Sequence, residues 1–229
     1  MKRLLIIILF PFILFAKTYV LSGGNDSVAQ IIASKILKKA YSRAHLKLKV
    51  DFVSLEASLK RSNAGEVDGE IARIKKISKI YSNLLRVPVD LVSVEAVAFS
   101  KNSTIHITQW NDLKDYRFTI VKGTKFIEHA TLGMHRKMVS GFSKAFRNLY
   151  NGKTEIIVIP KLAGLKIQHD RQYNKIQAIS PVLERLKLYH FVHKKNAYLI
   201  PILTPILQKM KENGEMKYIR QNYLKSITY

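Results

Sequence analysis

Between Thr18 and Ala72 the hydrophobic pattern alternates between strand and helix periods, in the order β-α-β-α-β, and that order argues for a parallel α/β sheet. Thr18–Ser22 is a short apolar strand. Gly23-Gly24 reads as the turn after it, and Asn25, Asp26 or Ser27 can cap the next helix. Val28, Ile31, Ile32, Ile36 and Leu37 recur at helical spacing, with Lys35, Lys38 and Lys39 on the other side. Leu46, Leu48, Val50 and Phe52 alternate as on a strand. Leu55, Leu59 and the stem of Lys60 share one face of a short helix, with Ser58 as a polar interruption. Asn63-Ala64-Gly65 stops that helix, because Asn and Gly tolerate the left-handed backbone. Val67, Gly69 and Ile71 then alternate with Asp68, Glu70 and Ala72, as on a half-buried strand, and Arg73 stands at its end.

A second α/β unit follows. Leu91–Ser100 is a long β-rich run, Trp110–Leu113 a helical turn, Arg117–Val121 a strand, and Gly123-Thr124 opens a helix with Glu128 in its first turn. Phe142–Tyr150 is a helix closed by Asn151-Gly152, and Glu155–Ile159 is a buried strand. Leu186–His193 is a return strand. Tyr198–Lys211 is helical, restarted or kinked at Pro205 and ended by Gly214, and Met216–Leu224 is a final helix. The second unit therefore sits between two strand-like crossovers, near 93–100 and 186–193, the layout of a protein whose lobes close by hinge bending. This predicts a first lobe of residues 17–98 and 188–229 and an inserted second lobe of residues 99–187.

Lys2-Arg3 followed by the apolar run Leu4–Ala16 fits a signal peptide over residues 1–16, cleaved after Ala16, and the run is short for a membrane span. The expected compartment is the periplasm. No Cys occurs, so neither a disulfide framework nor thiolate chemistry is available. The formal charge of +23 over 229 residues suits an anionic partner. In a secreted chain without a recognition motif this does not indicate nucleic acid. Two uses of the charge stay open: a field that draws anionic ligands into a cleft, or loose adsorption to an anionic membrane surface.

Ligands of open α/β sheets bind beyond the carboxyl ends of strands, and a guanidinium there grips a carboxylate or phosphate with parallel hydrogen bonds. Arg73 is placed to do so; alternatively it pairs with Glu70 or Asp68 at the surface. Thr124 is placed to meet an anion together with the free N–H groups of its helix start; alternatively it only caps that helix. Trp110, Tyr19 and Tyr81 are candidates for stacking on a ligand. His190 and His193 face opposite sides of a strand, so no metal site is expected, and no catalytic or nucleotide motif appears.

Glu56, Ser58, Leu59, Asn63, Gly65, Asp68, Gly69, Glu70, Arg73 and Ile74 form a pattern that resembles the periplasmic solute-binding proteins of family 3, specifically a branch of transporter substrate-binding domain proteins. Ala57 departs from the Arg usual there. The resemblance runs from about Tyr19 to the C-terminus. It implies a two-lobed type II periplasmic-binding-protein fold, each lobe a mostly parallel sheet flanked by helices, with the ligand cleft between lobes. It implies a ligand site built from Arg73, Glu56, Ser58, Glu70, Gly123 and Thr124, with no cofactor, no metal and no catalytic residue. The expected partners are a small-molecule ligand and an inner-membrane ABC permease or membrane sensor, and the chain is expected to be a monomer. The amino-acid binders of this family hold the ligand ammonium with an Asp just after the strand matching 155–159. Here Pro160 and Lys161 stand there, which favours an anionic or polar ligand without an ammonium. Glu56 and Glu70 leave a zwitterion open, and an enzyme of the cyclohexadienyl dehydratase type, with Glu70 or Glu56 as acid or base, is the alternative.

Overall fold

The computed structural model describes residues 17–170, 173 and 175–228; the predicted leader over 1–16 lies outside them. The strands are β1 (Thr18–Gly24), β2 (Lys47–Val53), β3 (Gly69–Ile74), β4 (Leu84–Ser100), β5 (Phe118–Val121), β6 (Arg136–Val139), β7 (Ile156–Pro160), β8 (Gln177–Ala178) and β9 (Glu184–His193). The helices are α1 (Val28–Arg43), α2 (Leu55–Ala64), α3 (Lys125–Ala130), α4 (Phe142–Tyr150), α5 (Lys161–Asp170), α6 (Leu199–Glu212) and α7 (Glu215–Thr228). All the strands join one sheet in the order β2-β1-β3-β9-β4-β7-β5-β6, with β8 pairing on β4.

Two parallel groups, β2-β1-β3 and β7-β5-β6, flank a central antiparallel pair, β9 and β4. β3 and β7 each run antiparallel to the central strand beside them. The β4–β9 ladder runs from Leu84↔His193 to Ala96↔Glu184, interrupted by register shifts around Asp90. In the group formed by β1–β3, α1 lies on one face of the sheet and α2 on the other. His190 accordingly reaches Tyr41 of α1, while the His193 ring lies 3.0 Å from where a side chain on Gly65 would stand at the end of α2.

One large core runs beneath both parallel groups, and a second one lies on the opposite face of the β5–β7 group. Leu21, Ile32, Ile36, Leu37 and Tyr41 are buried with Leu203, Leu207 and Met210 of α6. Phe99, Phe142, Phe146, Ile157 and Ile159 form a second core beneath α4 and α5. α5 carries Gly164 where it meets β4, because a Cβ there would lie 2.3 Å from the Phe99 ring.

Several local expectations are corrected. Gly23 and Gly24 finish β1 and do not turn; the turn falls on Asn25 and Asp26. Their lack of a side chain admits Ile71 and Leu55, whose methyl carbons would lie 2.5 Å from an added Cβ. Ser27 is the cap of α1 and accepts from the Gln30 N–H. β3 is buried along both faces and is not half-exposed, since α1 and α2 cover it from opposite sides. Ser58 does not interrupt the buried face of α2: it is fully buried on it, one turn from the equally buried Ser62. β6, α5 and β8 have no counterpart in the sequence reading. Among the described residues no helix is long and apolar enough to cross a membrane.

Candidate functional site

Glu70 and Arg73 are the buried polar centre of the molecule. Glu70 is fully buried and Arg73 is 6% exposed, a placement that charged side chains tolerate only with full pairing. Ser58 donates to Glu70 Oε2 at 2.6 Å, and Ser62 donates to the same oxygen at 3.0 Å. Both serines reach one carboxylate because residues four apart share a helix face. Glu70 Oε1 accepts from Arg73 Nε at 2.7 Å. The remaining guanidinium edge reaches outward: Nη2 donates to the Leu55 carbonyl at 2.7 Å and Nη1 to the Gly123 carbonyl at 3.0 Å.

His190 holds the backbone behind this pair. Its Nδ1 lies 2.8 Å from the Glu70 carbonyl and its Nε2 3.0 Å from the Tyr41 hydroxyl. A carbonyl only accepts, so Nδ1 carries the proton. Burial pushes the ring pKa down to about 4, so the imidazole is neutral and Nε2 accepts from Tyr41.

Gly123 brings the other parallel group into contact with α2. Its φ of +87° is left-handed. A Cβ there would stand 2.5 Å from the Glu56 nitrogen and 2.6 Å from the Leu55 carbonyl carbon. The contact is thus backbone on backbone. Lys125, two residues on, pairs with Glu56 at 2.8 Å across the junction and with Glu128 of its own helix at 2.9 Å. Burial pushes the Lys125 ammonium pKa down, but the bonds to these carboxylates outweigh it and the net shift is upward. Thr124 precedes α3 without a side-chain capping bond. Among the described residues its buried hydroxyl has no hydrogen-bond partner.

Between the two groups lies a cavity of about 50 Å³, bordered by Arg73, Gly123, Thr124, Phe126, Phe142 and Pro160 among others. Of the residues expected to bind a ligand, Arg73, Gly123 and Thr124 border it. Glu56, Ser58 and Glu70 do not; Ser58 and Glu70 instead hold Arg73, and Glu56 pairs with Lys125. Arg73 pairs with Glu70 as the simpler reading had it, although in the interior and not at the surface. Asp68 is separate: it accepts from the Val20 N–H and from Asn196, and pairs with Lys17.

The aromatic candidates fall elsewhere. Tyr19 bonds Tyr198 and packs on Tyr41, Trp110 packs against the main core, and Tyr81 packs beside Leu59, Ile77 and Leu84. Phe126 and Phe142 take the place by the cavity. Lys125, Ser62, Phe126 and Phe142 were missed. Ser62 was detectable as the i+4 partner of Ser58. The role of Lys125 depends on the approach of α2 and α3, which no local pattern carries. Among the described residues no cluster of His, Cys, Asp and Glu is arranged to hold a metal.

A histidine kinase sensor domain described as similar to periplasmic binding proteins superposes with a TM-score of 0.79 at 14% identity, covering 91% of this chain and 96% of that one. The chain has the two-lobed fold of the periplasmic binding proteins. The substrate-binding protein of an amino acid ABC transporter matches with a TM-score of 0.75 and 17% identity, over 91% of this chain and all of that one. A variant of ArgBP from T. maritima matches at 0.77 and 14%, over 91% and 95%. By sequence, an uncharacterised protein of Shewanella oneidensis is 24% identical over 197 residues, 82% of this chain and 74% of its own length. No protein-family model matches. We call the β1–β3 group the first lobe and the β5–β7 group the second; the Arg73–Gly123 bond and the Lys125–Glu56 pair join them.

Proposed function

We propose that the chain is a periplasmic solute-binding module that captures a small anion between its lobes and presents the closed form to an ABC permease or a membrane sensor. The observation that carries this reading is Arg73. Its guanidinium is held rigidly from behind by Glu70, which is fixed in turn by Ser58 and Ser62. Only its Nη1 bond crosses to the second lobe. When the lobes part, that donor is free to take a carboxylate or phosphate oxygen in place of the Gly123 carbonyl. Thr124 supplies a second polar group, a buried hydroxyl whose hydrogen-bonding capacity is unused. Among the described residues no carboxylate borders the cavity, and the Arg73 donor there suits an anion. At about 50 Å³ the cavity has room for a few water molecules, so the ligand enters a more open arrangement than this one.

We further propose that the module has no chemistry of its own. Glu70 accepts bonds from Ser58, Ser62 and Arg73, and Glu56 is paired with Lys125. Neither carboxylate is presented to the cavity as an acid or base.

Thermal unfolding against a panel of carboxylates, phosphates and amino acids tests the reading. A ligand at about 100 times its Kd stabilises the folded state by about 2.7 kcal/mol, a shift of roughly 5–10 °C for a chain of this size. Arg73→Ala should abolish that shift. Silence of the whole panel, or a shift that survives Arg73→Ala, counts against the proposal.

A further inference from the structure

A larger groove lies beside the cleft. It encloses about 500 Å³ between the 3-10 turn Lys75–Lys79, the start of β9 and α3. Sites for small molecules measure about 300–1,000 Å³, so the groove is ten times the closed cleft and within the working range. Its apolar lining comes from Ile77, Phe126, Leu186 and Tyr189. Ile80, at its edge, is 67% exposed.

The polar lining has one dominant sign. Lys75, Lys76, Lys125, Arg185 and Lys187 border the groove with His129, against the single carboxylate of Glu184. Several of these cations are already matched: Lys125 by Glu56 and Glu128, Arg185 by Glu95 at 2.6 Å, and Lys187 by Asp90 at 3.8 Å. Lys75 and Lys76 are exposed and form no ion pair among the described residues. The groove thus combines an apolar floor with uncompensated ammonium groups on one rim.

We propose that this groove is a second binding site, distinct from the cleft, for an amphipathic anion: a carboxylate head on an aromatic or short acyl body. The body covers Ile80, Leu186 and Tyr189, and the head meets Lys75 and Lys76. An uncharged ligand of the same shape leaves the ammonium groups without a counter-charge. A small hydrophilic anion leaves the apolar floor wet. The occupant touches the first lobe through the 3-10 turn and the second through α3, so it bridges both. The proposal does not require the cleft to be occupied.

The probe is 2-naphthoate, with uncharged 2-naphthamide as its control, titrated into the full chain by calorimetry and by methyl NMR. The expected result is that naphthoate binds about tenfold or more tightly than naphthamide and shifts the methyl signals of Ile77, Ile80 and Leu186. Lys75→Glu with Lys76→Glu should weaken naphthoate about tenfold or more and leave naphthamide unchanged. Both lysines are exposed, so the double variant folds; the milder Lys75→Gln with Lys76→Gln should give an intermediate loss. Absence of naphthoate binding at millimolar concentration, equal binding of the two probes, or undiminished binding in the Lys75→Glu, Lys76→Glu variant overturns the proposal.

Discussion

Arg73 Nη1 donates to the carbonyl oxygen of Gly123 at 3.0 Å, across the junction of the two lobes. The other guanidinium bonds, to Glu70 and to the Leu55 carbonyl, stay within the first lobe. Separating the lobes therefore breaks one charge-assisted bond here and the Lys125–Glu56 pair beside it. A hydrogen bond to a charged group contributes about 1.5–3 kcal/mol, enough for a single residue to bias closure. The stability of the chain and the position of its lobes are thus linked through one side chain.

Removing that side chain strands its partner. Arg73→Ala leaves Glu70 as a buried, unpaired carboxylate and should cost about 3–5 kcal/mol in a denaturant titration. Replacing the pair together, Arg73→Met with Glu70→Gln, should recover much of the loss, because the stranded charge is gone. A double variant as unstable as the single one would show that the guanidinium acts mainly through Leu55 and Gly123.

Gly123→Ala attacks the junction from the other side. The backbone there is left-handed, and the new methyl meets the start of α2 at 2.5 Å. We expect a loss of about 1–3 kcal/mol together with parted lobes, seen as a larger radius of gyration by small-angle X-ray scattering. An unchanged scattering curve would mean that the lobes tolerate the added methyl without moving.

Thr124→Val tests the unused hydroxyl. It removes a buried polar atom without a partner and keeps the shape, so stability should hold or rise by up to about 1 kcal/mol. Affinity for the cleft ligand should fall in the same variant. A clear loss of stability would indicate that the hydroxyl is bonded in solution.

Stability should decline on mild acidification. Burial lowers the His190 pKa from 6.5 to about 4, so between those values the unfolded chain binds a proton that the folded chain refuses. The stabilisation is complete above about pH 6.5 and is lost progressively toward pH 4, by up to about 3 kcal/mol. Asp68 adds a second loss at lower pH. Burial pushes its carboxyl upward, but the bonds from Val20, Asn196 and Lys17 prevail and hold it below 3.8. Unfolding free energies measured from pH 7 to pH 3 check both, and His190→Gln should flatten the upper part of the curve.

The fold was legible where hydrophobic period and stop signals coincide. α2 with its Gly65 end, β3 and the whole of α4 are written locally. α5 was hidden because Pro160 and Gly164 mask its helical pattern; Gly164 serves the Phe99 contact and not the helix. The candidate site was legible as a set of residues and obscure as a set of partners. Ser58, Glu70 and Arg73 are close in sequence, but only the packing of α2 on β3 turns them toward one another. Carbonyl acceptors such as those of Leu55 and Gly123 have no signature at all, since every residue carries one.

That last property bears on how the junction withstands mutation. Both outward bonds of Arg73 end on the polypeptide itself, so no exchange of side chain at Leu55 can delete the acceptor. Over evolutionary time the first lobe's share of this contact is free to drift in identity at position 55. The constraint is concentrated in Arg73, in the carboxylate that aims it and in the two hydroxyls beneath. A lineage that keeps those four side chains, and the glycine at 123 that lets the backbones meet, keeps the closing contact.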